Sequence, residues 1–296
     1  VSLNVTLLIL ITLLWAASFS LIGVYLAGQV DGYLVVFIRM VLALITVLPL
    51  FRWRHLSPQN GQLPQLAKLA VIGAVQIGAM YLFLYHAFLY LSIAEVLLFT
   101  IFTPLYITLI DELILNRKHL PLLWWIAAAV SVCGAAIIRY QPLSDDFITG
   151  FFLIQAANAC FAAGQVAYKR LPTGKTLEQS QQFAAFFFGA SVIAGLGVLF
   201  FGDLTKMPTT NLQWGILLWL GIVASGLGYL GWNLSGKRVN TGQLATMNNA
   251  LIPAGILVNV IFWEQSFDYT RLSIGALIII LAVWLAGRVN KLKPAR

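Results

Sequence analysis

The feature that most constrains this chain is a succession of apolar runs, each long enough to cross a bilayer as a helix. A spanning helix needs about 20 predominantly apolar residues. Such runs fall near residues 4–27, 33–51, 67–90, 93–115, 120–139, 147–168, 181–201, 213–235, 241–263 and 271–290. The punctuation lies between them, at Gly28–Gly32, Ser57–Pro64, Asn116–His119, Gln141–Asp146, Pro172–Lys175 and Gly202–Thr210. Only 9% of the residues are charged, against roughly 25% in soluble domains. That excludes a soluble enzyme, a nucleic-acid module and a disordered chain. The pattern predicts an all-α integral membrane protein of about ten transmembrane helices, with the lipid bilayer as its solvent.

The net charge of +8 matters through its placement. If the N-terminus is cytoplasmic, Arg52, Arg54, Lys68, Arg117, Lys118, Lys169, Arg170, Lys175, Lys237, Arg238, Arg288, Lys291, Lys293 and Arg296 lie inside. Arg139, Lys206 and Arg271 lie outside, and Arg39 lies within a span. One missed helix would invert every later loop, so a 14 to 3 split supports both the span count and cytoplasmic termini. Cys133 and Cys160 each sit in an apolar run, in no CxxC and no metal cluster, and read as packing residues. The first run lacks a basic n-region and is long enough to span, so it reads as a helix rather than a cleavable leader.

Two prolines fall deep inside spans, Pro104 in the fourth and Pro253 in the ninth, 149 residues apart. At that offset Thr103-Pro104-Leu105 lies on Ile252-Pro253-Ala254, and Ser92 lies on Thr241. Five helices therefore occur twice, over residues 1–141 and 146–296. Five is odd, so the second copy runs through the membrane inverted, as in many secondary transporters. The competing reading is chance similarity between apolar helices; proline position and loop sign agree independently against it.

The chain resembles the drug/metabolite transporter superfamily, specifically its EamA-type ten-helix exporters. The resemblance rests on Trp15-Ala16-Ala17-Ser18-Phe19, Arg39, the Pro104 and Pro253 helices, and Trp263-Glu264. It implies two inverted five-helix halves around a central cavity lined by helices one, three, four, six, eight and nine. It also implies export of amino acids and related metabolites. One departure is that Leu115, rather than a glutamate, matches Glu264, with Asp111 and Glu112 earlier.

Polar groups inside a membrane are costly and usually mark a pathway or a partner. Gln155, Asn158 and Gln165 share one face of the sixth span, either as a water-facing wall or as interhelical hydrogen bonds. Thr246, Asn248 and Asn249 precede Pro253, where they either satisfy a carbonyl freed by proline or bind substrate; Thr100 and Thr103 precede Pro104 in the same way. Trp15, Tyr81, Tyr85, Tyr229 and Trp232 are candidate cavity walls, with an interfacial belt as the alternative. His86 and Glu95 flank the tight turn between spans three and four, either as candidates for proton coupling or as an exposed pair at the interface; Arg39, a further coupling candidate, would neutralise a carboxylate of the protein or of a substrate. Asp111 and Glu112 near Arg117 and Lys118 read as a surface charge cluster.

Gly226-Leu227-Gly228-Tyr229-Leu230-Gly231 spells GxGxxG but lies within an apolar span with no preceding strand, so a dinucleotide role is rejected. No metal, nucleophile or P-loop motif appears, and no cofactor or enzymatic activity is expected. The expectation is a secondary transporter of the bacterial inner membrane. It would export small amphipathic metabolites such as amino acids by alternating access around Trp15, Tyr81, Asn158 and Asn249, as a monomer or weak dimer. Pro104 and Pro253 would let their helices bend. The rivals are a multidrug or quaternary-cation exporter, disfavoured because the first span has no acid, and a non-transporting membrane subunit.

Overall fold

The computed structural model describes residues 3–53, 62–111, 122–139, 147–172, 176–263 and 269–288. All regular structure among them is helical, and it divides into the ten expected spans. We number these α1 (Leu3–Tyr25), α2 (Gly32–Val47), α3 (Leu63–Ala87), α4 (Ile93–Phe99 continuing through Thr103–Leu109), α5 (Leu122–Arg139), α6 (Phe147–Arg170), α7 (Ala184–Phe201, preceded by Thr176–Gln182), α8 (Asn211–Gly236), α9 (Thr241–Asn249 and Leu251–Trp263) and α10 (Tyr269–Arg288). Six of them (α1, α2, α3, α6, α7 and α8) are long and apolar enough to cross a membrane uninterrupted. Large apolar side chains such as Phe152, Leu199, Phe200 and Phe262 are largely exposed, a surface that suits lipid rather than water.

The starts follow local chemistry. Asp31 caps α2 by accepting from the Leu34 amide at 2.9 Å, and Asn240 caps α9 through the Gln243 amide at 2.7 Å. Thr210 and Gln213 form a reciprocal capping box at the start of α8. Gly28 takes φ +74° in the turn between α1 and α2, a backbone that disfavours a side chain.

The two halves repeat each other's irregularities. A π-helical segment widens α3 at Ala74–Ala79, and another widens α8 at Trp219–Leu227. A 3₁₀ turn at Thr100–Phe102 breaks α4 just before Pro104, and Ala250 interrupts α9 just before Pro253. The packing repeats as well. α1 lies on α8 and α9 as α6 lies on α3 and α4; α2 lies on α7 and α8 as α7 lies on α2 and α3; α5 pairs with α10. The copies are inverted. The Asp31 amide meets the Lys206 carbonyl at one end of the bundle, while Lys169 and Arg170 meet the α8–α9 turn and Asp111 at the other. By the positive-inside count the second end is the inner one.

Glycine sets the closest approach. A Cβ on Gly73 would lie 1.8 Å from the Phe186 carbonyl oxygen, and one on Gly189 would lie 1.8 Å from that of Ala70. α3 and α7 therefore cross backbone to backbone, which suits small residues in lipid.

Asp111 departs from its expected place in a surface charge cluster. It is 4% exposed, accepts from Arg170 Nε at 2.8 Å, and pairs with the same guanidinium through Nη2, tying α4 to α6. Glu112, Arg117, Lys118 and Glu264 lie outside the described residues.

A candidate transport site at the centre of the bundle

The wide turn of α8 organises the site. In a π turn the i→i−4 ladder is interrupted, and such turns recur at functional sites. Here the Ala224 carbonyl accepts from the Trp15 indole Nε1 at 2.8 Å. One residue on, Ser225 Oγ accepts from Arg39 Nε at 2.6 Å. Gly228 leaves room for the indole, since a Cβ there would meet Trp15 Nε1 at 3.1 Å. Trp15 lies against Tyr229 at 4.6 Å and Trp232 at 4.8 Å between ring centroids. The Tyr229 hydroxyl donates to that of Tyr81 at 2.9 Å. Trp15, Tyr229 and Tyr81 form an aromatic floor across the bundle, with Trp232 behind Trp15.

A small cavity of about 70 Å³ extends outward from that floor. Trp15, Phe19, Arg39, Tyr81, Asn158, Phe161, Tyr229 and Asn248 contribute to its walls. Its volume is well below the ~300–1,000 Å³ of small-molecule sites, so the helices close on little free space in this state; the walls are mostly apolar with a few converging polar groups.

Arg39 is the charged group among the described walls of this cavity. It is 1% exposed, donates from Nη1 to the Tyr85 hydroxyl at 3.3 Å, and holds its guanidinium carbon 4.1 Å above the Tyr81 ring. Among the described residues no carboxylate pairs with it. A buried guanidinium without a counter-charge is costly, and an anionic ligand entering this cavity would supply one.

The opposite wall is built on the break in α4. Pro104 has no N–H, so the Thr100 carbonyl turns to the Thr103 amide and hydroxyl, the latter at 2.7 Å. Asn158 Nδ2 donates to the Phe99 carbonyl at 2.8 Å, and its Oδ1 also faces the Thr103 hydroxyl at 3.1 Å. Gln155 adds a longer bond to the Phe99 carbonyl at 3.3 Å. Asn249 donates to the Ile101 carbonyl at 3.1 Å and to Ser131 Oγ at 3.2 Å. Pro104 is the second residue of the second α-helical segment of α4, and Pro253 is the third residue after the interruption of α9.

The structure thus brings Trp15, Tyr81, Asn158, Tyr229, Asn248 and Arg39 to one cavity. The four remaining candidates for substrate contact and the coupling candidates His86 and Glu95 do not line it. Tyr85 stands behind Tyr81 and holds Arg39. Trp232 backs Trp15. Asn249 is fully buried against α4 and α5. Gln165 lies below the floor, toward the inner end. His86 faces a separate outer groove, with Nδ1 2.6 Å from the Leu82 carbonyl oxygen and its ring on Tyr33. Glu95 accepts from the Ser92 amide and hydroxyl, both at 2.8 Å, as a cap on α4. Ser225, Ser18 and Phe161 were missed by sequence reasoning. Ser225 carried a faint signal, a hydroxyl between Gly221 and Gly226 in an apolar run.

The inner end is closed by lysines. Lys169 Nζ donates to the carbonyls of Gly236, at 2.8 Å, and Val239. Lys237 donates to the Leu171 carbonyl at 3.4 Å and lies 4.6 Å over the Tyr168 ring. Burial pushes the Lys237 ammonium down to about 8. No group of His, Cys, Asp and Glu that could hold a metal occurs among the described residues.

Comparison with known proteins agrees with this architecture. The EamA-like transporter family matches residues 2–140 and again 148–288. A protein of Pseudomonas aeruginosa named "Probable biotin transporter" is 45% identical over 281 residues, covering 94% of this chain and 96% of its own. The biotin transporter of Escherichia coli K12 is 44% identical over 279 residues, covering 94% and 91%. The pseudopaline exporter of Pseudomonas aeruginosa is 23% identical over 258 residues, covering 85% of each chain. A crystal structure superposes with a TM-score of 0.70 at 17% identity, covering 96% of this chain and 98% of the other, which bears on the fold alone. The chain belongs to the EamA-like transporter family.

Proposed function

We propose that this secondary transporter carries biotin, or a compound sharing its monocarboxylate and cyclic-urea head, across a bacterial plasma membrane. The observation that carries the reading is Arg39: a buried guanidinium on the cavity wall with no carboxylate partner among the described residues. It suits the single carboxylate of biotin, while Trp15, Phe161 and Tyr229 suit the apolar ring system and alkyl arm. The names of the relatives at 44–45% identity point the same way.

Biotin replaces the amino acids expected from the sequence. An amino acid brings an ammonium as well as a carboxylate. The described cavity walls carry one guanidinium and no carboxylate, a set that fits a monoanion better than a zwitterion. The test is counterflow of labelled biotin in proteoliposomes, beside a panel of labelled amino acids and with or without a pH gradient. Saturable biotin exchange is expected. Exchange of an amino acid with none of biotin would overturn the reading.

A further inference from the structure

Beneath the aromatic floor lies a group of polar atoms that the cavity does not use. Gln165, 2% exposed, has neither its Oε1 nor its Nε2 partnered among the described residues. Trp232, 1% exposed, has its Nε1 unpartnered, and so does Gln76 at Oε1 while its Nε2 donates to Asn233 at 3.2 Å. Gln165, Trp232 and Asn233 line one small space whose inner end is closed by Lys169. In this state it is too narrow to admit a water molecule. Each unmet buried donor or acceptor costs roughly 1–3 kcal/mol. A packing role alone would be served better by leucine and phenylalanine.

The placement along the helices is ordered. Gln165 lies seven residues inward of Asn158 on α6, about 10 Å at the helical rise. Trp232 lies one turn inward of Tyr229 on α8 and packs against Trp15 with its ring tilted by 39°. The group therefore sits on the line from the cavity to the inner face, behind a floor that transport must part.

We infer that Gln165 and Trp232 form a second substrate station, occluded here, that receives the urea group of the ligand once the floor opens. A cyclic urea presents one carbonyl acceptor between two N–H donors. Gln165 offers an acceptor and a donor, and Trp232 a donor. The inference rests on the biotin reading, and the test separates the two.

Exchange of labelled biotin is competed with unlabelled biotin, which carries the urea, and with lipoate, which keeps a carboxylate on an alkyl arm but has no urea. Wild-type protein, Gln165→Leu and, as a second variant should the first fail to fold, Trp232→Phe are compared. The expected result is that the variants melt no lower than wild type and lose the preference for biotin over lipoate by about tenfold. If wild-type protein does not exchange biotin, the functional reading falls and takes the station with it. If wild-type exchanges biotin and the variants keep its preference, or lose both ligands equally, the station alone is overturned.

Discussion

Replacing Arg39 with methionine removes the charge while keeping much of the side-chain volume. Taking the guanidinium out of water costs several kcal/mol. Against that stand the Tyr81 ring 4.1 Å away and the bonds to Ser225 and Tyr85 at 2.6 and 3.3 Å. A desolvated cation–π contact contributes about 2 kcal/mol, and a hydrogen bond from a charged group about 1.5–3 kcal/mol. Gain and cost nearly offset, so Arg39→Met is expected to change stability by less than about 2 kcal/mol. The ligand carboxylate has no such balance, because its counter-charge disappears. Truncating one member of a buried charge pair costs 2–5 kcal/mol, and a loss of about 3 kcal/mol is roughly 150-fold in affinity. The assay is competition of biotin exchange by biotin and by its neutral amide. Wild-type protein should prefer the acid on the order of 100-fold, and the variant should take both alike. A variant that keeps the acid preference would refute the carboxylate role. One that fails to fold where wild type is stable would make Arg39 a packing residue.

Asn249→Ala should leave the Ile101 carbonyl without its 3.1 Å partner and lower the melting temperature, with biotin half-saturation unchanged, because Asn249 faces α4 and α5 rather than the cavity. The Lys237 ammonium, held down to about 8, is bound to fewer protons in the folded protein than in the unfolded chain between that value and its ordinary 10.5. Folded stability should therefore rise with pH across that window, and a set of melting curves should show part of the rise missing in Lys237→Met. Gly73→Ala and Gly189→Ala each push a methyl to within 1.8 Å of a carbonyl oxygen and should abolish monodisperse protein in size-exclusion chromatography. Gly215→Ala, which meets nothing within 4 Å, should elute as wild type.

The ten spans and the inverted repeat were legible because both rest on long-range bulk patterns: apolar length, loop sign and the spacing of two prolines. The observed helix α9 begins and ends at 241 and 263, where the sequence placed it, and α2 and α6 differ by a few residues. The candidate site was legible only as a set of polar and aromatic residues on interior spans. Periodicity places Asn158 and Gln165 on one face, but it cannot say that Trp15 and Trp232 cross the bundle between them. Nor can it show that Asn249 turns away from its neighbour Asn248, because one step of about 100° separates a cavity wall from a helix contact. The wide turn of α8 left almost no trace. Its consequence, an Ala224 carbonyl that accepts from Trp15 beside a Ser225 that accepts from Arg39, depends on hydrogen-bond register rather than on composition.

The break in α4 has a consequence for biogenesis. The Phe99 and Ile101 carbonyls are met by Asn158 and Asn249, which the ribosome adds 59 and 148 residues later. An N-terminal fragment ending before α6 would lack the side chains that meet those two oxygens, at roughly 1–3 kcal/mol each. The first half is thus an unfinished membrane insert until its successor arrives. A gene cut between the repeats should give two polypeptides that survive when made together, with the first degraded when made alone.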